Sequence, residues 1–444
     1  MFFTIIIIAI MLEVIITMCK IDKFSKIFLT IFNLIITILL CFSTTNPYGL
    51  FPVSDKTYII WLINLMCFTI VYILLALRKK NEEIIEEYTD NNFDKVLDKI
   101  VKSKIWNTIN IIVMILLIYY VVKYNNIISE IIDPALWRMV RFTTLFDSYK
   151  EKVIFEYIIM GAFTIFSIIT SILLVNKKWK NIFFFVGIAN IILYVSIGFS
   201  RKVLFEFLMY IVIAYAIMFI FKKKKINKRI ILTGAVLLII ILIVILALTS
   251  IRTGVKIWDF KTIYEEILQE QVKQFIIYFE GPFRALDYFI ENGLPSLEGK
   301  LSYGRATLGG VDEIISLPLI FVGIDYPYFN SIVGSDLQSY ITIGDNISFN
   351  ALYTGVMNYY CDFGVYGVII LSTLYAIFTR WCVEKSLKKQ DAFSQILMIF
   401  VVMNTISTIY RWNYQSGATT FILIVLLLLN SNKLIKKGKR WKEI

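Results

Sequence analysis

Residues 57–77 read TYIIWLINLMCFTIVYILLAL, a stretch without one charged side chain. A bilayer core about 30 Å thick is crossed by roughly 20 apolar residues at the helical rise of about 1.5 Å. The stretch therefore reads as a membrane-spanning helix. Asp55, Lys56 and Arg78 mark its edges. Windows of the same kind recur at about 3–19, 27–43, 106–122, 153–175, 181–199, 203–221, 230–249, 364–383, 393–410 and 418–430. Together they predict an all-α, polytopic integral membrane protein with eleven spans.

Composition agrees. The chain has 444 residues, of which 58% are hydrophobic and 18% charged; a soluble domain has about a quarter charged. It contains no histidine, which excludes a Ser-His-Asp or Cys-His nucleophile pair and any histidine-ligated metal. The five cysteines, Cys19, Cys41, Cys67, Cys361 and Cys382, show no C-x-x-C spacing. Most lie in or beside apolar runs, where a buried thiol is expected.

Charge in the connections sets the orientation. The connections 20–26, 78–105, 176–180, 222–229 and 384–392 and the tail 431–444 carry 28 of the 45 Lys and Arg. The alternate, much longer set carries 16. The first set is thus expected on the cytoplasmic side with the C-terminus, and the N-terminus on the outer side. The first span has no basic residue before it and carries Glu13, so it does not read as a cleavable leader. The net charge of +12 then describes anchoring at the inner face, and the lysine runs 222–225 and 433–439 read as lipid-facing, with no nucleic-acid partner. Residues 93–105 place Phe93, Val96, Leu97, Ile100 and Val101 on one face, which predicts a helix lying on the inner leaflet. Residues 127–146, broken by Pro134, read as an outer counterpart.

The chain divides into spans one to eight (1–249), one large external segment (250–363), and spans nine to eleven with a basic tail (364–444). The external segment holds 11 of the 20 glycines and 4 of the 7 prolines, with 14 Asp or Glu against 7 Lys or Arg. Ile263, Ile267, Leu268, Val272, Phe275 and Phe279 recur at helical spacing. Gly281-Pro282 is expected to stop that helix, a second short one to end at Asn292-Gly293, and the rest to about 345 to be turn-rich. A loop this long without structure is unusual, so it reads as a helical cap.

Arginine is distributed differently from lysine. By this topology 9 of 34 lysines but 7 of 11 arginines lie outside: Arg138, Arg141, Arg201, Arg252, Arg284, Arg305 and Arg411. The guanidinium fork matches phosphate and carboxylate bidentately, so an external anionic ligand and salt bridges to the segment's own acids are both consistent readings. Arg201 and Arg411 sit in very short turns between spans, at the level of a lipid-linked phosphate. Few charges lie deep in the spans, no internal repeat is visible, and there is neither a G-x-x-x-x-G-K-[ST] loop nor a D-x-D pair in the first outer loop. These absences argue against coupled transport, an ATP motor and the usual metal-dependent membrane glycosyltransferase.

The run Phe349-Asn350-Ala351-Leu352-Tyr353-Thr354-Gly355, followed by Tyr359-Tyr360-Cys361-Asp362-Phe363-Gly364-Val365-Tyr366-Gly367, resembles the Wzy-type O-antigen and capsule repeat-unit polymerases. Those proteins favour an aromatic-x-Asp-Phe-Gly-x-x-Gly at the entrance to a span. The Gly198-Phe199-Ser200-Arg201-Lys202 turn resembles the family's Gly-x-Arg turn. The resemblance implies a GT-C-like membrane glycosyltransferase in a bacterial inner membrane, using no cofactor or metal. Its substrates would be oligosaccharides on undecaprenyl pyrophosphate, and a chain-length regulator would be a partner. The growing glycan would move from its lipid pyrophosphate onto the next lipid-linked repeat. Arg201, Arg284, Arg305 and Arg411 are then candidates for the pyrophosphate, and Glu280 or Asp362 for the base. Tyr353, with Tyr359 and Tyr360, would stack on sugar or anchor at the interface. Glu280 could instead pair with Arg284 at i,i+4, and Asp362 could cap a helix. The sequence departs from the family in lacking an Arg-x₁₀-Gly arrangement in the external loop. An O-antigen ligase is the nearest rival, but it leans on a histidine that this chain lacks. A flippase of the same lipid-linked sugar and a non-catalytic scaffold are further alternatives.

Overall fold

In lipid, every backbone amide must find its partner within the chain, which a helix does by itself, and the apolar windows are helical. The structure, a computed structural model, describes residues 1–77, 90–132, 137, 140, 144–198, 201–221, 269–350, 353–389 and 391–431. Its apolar helices are α1 (Phe2–Met18), α2 (Lys23–Ser43), α3 (Asp55–Leu77), α5 (Lys104–Ile128), α6 (Tyr149–Val175), α7 (Ile182–Ser196), α8 (Arg201–Phe221), α12 (Gly355–Lys389), α13 (Ala392–Ser407) and α14 (Gly417–Leu429). Among the described residues six of these, α2, α3, α5, α6, α8 and α12, are long and apolar enough to cross a membrane. Ten of the eleven expected windows thus hold an apolar helix. The expected eighth span, Arg138, Arg141, Arg252, the start of the external segment and the basic tail lie outside the described residues.

Between the apolar helices lie α4 (Asp90–Lys102), α9 (Gln269–Asn292), α10 (Gly309–Phe321) and α11 (Phe329–Gln338), and the strands β1 (Tyr340–Gly344) and β2 (Ile347–Asn350). The strands pair antiparallel, Ile341 opposite Phe349, with a bulge between Thr342 and Gly344. The stretch expected to be turn-rich therefore contains two helices and a hairpin.

One more expectation changes. Helix α9 does not stop at Gly281-Pro282 but runs through to Asn292, where the Gly293 N–H bonds the Phe289 carbonyl at 2.8 Å. An internal proline costs a helix about 3 kcal/mol. Phe283, Ala285 and Leu286, directly after it, are all fully buried, and burying one Phe or Leu is worth roughly 1.5–3 kcal/mol. Packing therefore outweighs the break. Helix α4 covers most of the stretch expected to lie on the inner leaflet, with Leu97 and Ile100 buried. It ends where Ser103 becomes the N-cap of α5, accepting the Trp106 N–H.

The chain forms two compact units. The first comprises residues 1–87, 273–388 and 404–423, and the second 88–272, 389–403 and 424–444. In the second, α5 and α7 are joined by a buried amide pair, Asn190 Nδ2 donating to Asn110 Oδ1 at 2.8 Å. Lys178 reaches Asp98 of α4 at 2.7 Å. In the first, Phe28, Phe32, Phe68 and Tyr72 stack α2 on α3, and Thr69 donates to Asn33 Oδ1 at 2.9 Å.

The same unit buries a charge pair far apart in sequence. Asp22 caps α2 by accepting the Ser25 N–H at 2.8 Å, and takes Arg380 Nη1 of α12 at 2.7 Å. Arg380 also donates to Ser25 Oγ at 2.9 Å and lies over the Tyr72 ring. Removing one member of a buried pair typically costs about 3–5 kcal/mol, because the other charge stays behind. Arg380→Met should therefore lower the unfolding midpoint of the detergent-solubilised chain markedly, and Asp22→Asn in the same chain should recover part of the loss. Additive effects in that double-mutant cycle would show that the two groups are not coupled.

Candidate functional site

Residues 280 and 284 lie one turn apart on the buried face of α9, which puts a carboxylate and a guanidinium side by side. Arg284 Nη1 donates to Glu280 Oε2 at 3.0 Å and to the Glu280 carbonyl at 3.1 Å. Its remaining donors reach the segment between α2 and α3: Nε to the Phe51 carbonyl at 2.8 Å, and Nη2 to the Ser43 carbonyl at 3.2 Å and Asn46 Oδ1 at 3.4 Å. That segment is held from the other side by the hairpin. Phe51 N–H bonds the Ile343 carbonyl at 2.8 Å, Asp345 N–H bonds the Gly49 carbonyl at 2.9 Å, and Leu50 pairs with Gly344. Asn46 and Tyr48 adopt left-handed backbone conformations, φ +46° and +57°. One turn further along α9, Asp287 accepts the Thr57 hydroxyl at 2.5 Å and the Ser54 hydroxyl and N–H, fixing the start of α3.

Glu280 is fully buried and, among the described residues, its Oε1 has no hydrogen-bond partner. Burial raises its pKa from the usual 4.5 to about 7, against the lowering pull of Arg284. The guanidinium is also shared with four other acceptors, the Glu280, Phe51 and Ser43 carbonyls and Asn46 Oδ1.

Asp362 organises a second cluster. Helix α12 is broken at Phe363 and Gly364, where Gly364 has φ +61°, a conformation costly for any residue with a Cβ. A Cβ on Gly367 would fall 2.1 Å from the Tyr359 carbonyl, so the second glycine of the Asp-Phe-Gly-Val-Tyr-Gly run is required for the turns to close. The break frees carbonyls of the preceding turn, and residues 302 and 303 supply donors: Ser302 N–H to the Cys361 carbonyl at 3.1 Å, and Tyr303 N–H to the Asp362 carbonyl at 3.3 Å. The Asp362 carboxylate returns the bond. It accepts Ser302 Oγ at 2.5 Å and the backbone N–H groups of Gly304, Ala306 and Thr307 at 2.8, 2.9 and 2.8 Å. Asp362 is therefore bound into the 302–307 turn rather than capping the helix that follows it.

The turn after α13 joins this network. Trp412 Nε1 donates to the Thr307 carbonyl at 2.7 Å, and Asn358 Nδ2 bridges the Ala306 carbonyl at 2.9 Å and Gln415 Oε1 at 3.3 Å. Arg305 lies in the pinned turn with its guanidinium half-exposed, donating through Nε and Nη2 to Asp312 Oδ2 at 3.1 and 3.0 Å. Arg411 precedes Trp412 and is exposed; among the described residues no ion pair engages it. Tyr353 is buried just before α12, and burial pushes its pKa up to about 12. Glu280, Arg284, Arg305, Tyr353, Asp362 and Arg411 all belong to the first unit, whereas Arg201, the half-buried first residue of α8, belongs to the second.

Sequence reasoning missed Asp287, Asn358 and Gln415, whose partners lie far off in sequence, and Asp312, which takes Arg305 seven residues before it and Tyr326 and Phe329 after it; only the turn-forming Ser302-Tyr303-Gly304 hinted at the pinned turn. Among the described residues no group of three or more Cys, Asp or Glu is placed to hold a metal ion. No known protein family, curated protein or solved structure matches the chain.

Two outcomes follow from these clusters. Asp362→Asn turns one of the two acceptor oxygens into a donor facing an N–H, so it should destabilise the chain by about 2–3 kcal/mol, with Ser302→Ala costing about 1 kcal/mol. Equal midpoints for Asp362→Asn and the wild type in thermal unfolding would contradict the pinning role. For Glu280 the folded state holds its proton more tightly than the unfolded chain. Stability is then full below about pH 4.5 and falls as pH rises through about 7, by on the order of 3 kcal/mol. Glu280→Gln should flatten that slope, and an unchanged pH profile would place the titration elsewhere.

Proposed function

We propose that this chain is a polymerase of lipid-linked oligosaccharide repeat units, resembling the Wzy-type enzymes, in the inner membrane of a bacterium, with its C-terminus cytoplasmic and its N-terminus periplasmic. The observation that carries the reading is Glu280: a carboxyl with a pKa of about 7, one oxygen without a partner, and a guanidinium beside it. A general base works best when its pKa lies near the operating pH. The acceptor hydroxyl of the incoming repeat loses its proton to Glu280 as its oxygen attacks the anomeric carbon of the growing chain. The bond from that carbon to the lipid pyrophosphate breaks, and the pyrophosphate leaves as an anion. Exposed Arg411 and half-exposed Arg305 are the guanidinium groups of the first unit that we assign to stabilise it; Arg284 holds Glu280. Glu280 and Arg284 are closed off from solvent, so substrate entry requires the segment between α2 and α3 to yield.

The substrate class is an oligosaccharide on undecaprenyl pyrophosphate, and the product is O-antigen or another surface polysaccharide whose length a partner protein sets. The reading is tested in cells whose surface glycan depends on this chain. Arg411→Ala and Glu280→Gln, at wild-type membrane levels, should each reduce the long-chain ladder at least tenfold while single repeats persist on gels. Full ladders from both variants would remove those residues from the mechanism, and loss of the single repeat as well would point to flipping instead.

A further inference from the structure

Tyr303 is a bulky residue with φ +49°, in the left-handed region. Such a backbone costs about 1–3 kcal/mol and persists only where its surroundings impose it. Here Asp362 imposes it, holding the N–H of Tyr303 through its carbonyl and that of Gly304 through its carboxylate. The constraint pushes the Tyr303 side chain outward, 72% exposed. Phe363, 37% exposed, is displayed from the other arm of the same junction, at the break in α12. The two rings meet edge to face, centroids 6.1 Å apart at 71°, which leaves ring faces open to a ligand. Charged groups border them in sequence: exposed Lys300, paired with Glu298, and half-exposed Arg305, paired with Asp312.

We propose that Tyr303 and Phe363 form a sugar-binding subsite, taking the C–H face of a pyranose ring. This rests on the function proposed above and names where its saccharide is held. A rigid pair of rings loses little conformational entropy on binding, and its apolar faces suit a ring that is apolar above and below and polar at its rim. A lipid anchor needs apolar bulk at the interface, and a tyrosine on a regular helix provides that without backbone strain.

The test compares aromatic with aliphatic side chains. The full-length chain is assayed in membranes against rising amounts of the single-repeat lipid-linked oligosaccharide that accumulates in cells lacking it. Tyr303→Trp, Tyr303→Phe, Tyr303→Leu and Phe363→Leu are compared at matched protein levels. The Leu variants should raise KM about tenfold with kcat within twofold, while Phe and Trp at 303 stay within twofold of the wild type. Leu variants that behave like Phe and Trp would assign the rings to membrane anchoring and overturn the subsite. A kcat loss without a KM change would do the same. Failure of the wild type to extend the repeat at any concentration would overturn the polymerase reading itself, and the subsite with it.

Discussion

The first unit depends on one carboxylate at a helix break. A helix that is interrupted in its middle exposes carbonyls and donors that must be satisfied elsewhere. Asp362 and the carbonyls around it meet that demand by binding the 302–307 turn through a hydroxyl and several backbone N–H groups. Hydrogen bonds to a charged acceptor are among the stronger ones. From this junction the network spreads to Trp412, Asn358 and Gln415, so three sequence segments more than fifty residues apart become one rigid surface. Arg305, Arg411, Tyr303 and Phe363 are all carried on it or immediately beside it.

A second constraint works on α9 in the opposite sense. Where Asp362 is satisfied on both oxygens, Glu280 is left with one oxygen empty and a guanidinium divided among several acceptors. One carboxylate is thereby spent on architecture and the other kept poised for a proton. The contrast explains why two acidic residues that look alike in the sequence, each near the end of an apolar run, have different roles in the reading offered above. It also accounts for the strained segment between α2 and α3, which Arg284 and the hairpin hold between them.

The helical frame was legible because lipid removes alternatives: an uncharged run such as 57–77 can only be a helix, and ten of the eleven windows hold one. The external segment was less so. Gly281-Pro282 signals a stop, but that signal is local, and the burial of Phe283, Ala285 and Leu286 that overrides it is tertiary. The pairing of Glu280 with Arg284 was readable from i,i+4 spacing alone, and the structure realises it. The partners of Asp362 were not, since nothing at 302–307 says which carboxylate will bind it. The same limit hid Tyr303, whose conformation is imposed from residue 362 and leaves no mark in its own neighbourhood.

The most direct test is to reconstitute the purified wild-type chain into liposomes that contain the single-repeat lipid-linked oligosaccharide and no other protein, and to analyse the lipid products by mass. The expected product is a species with two repeats on one lipid, accompanied by one equivalent of sugar-free lipid pyrophosphate. Repeats that cross the bilayer unextended, or that remain unchanged on the leaflet where they began, would contradict it.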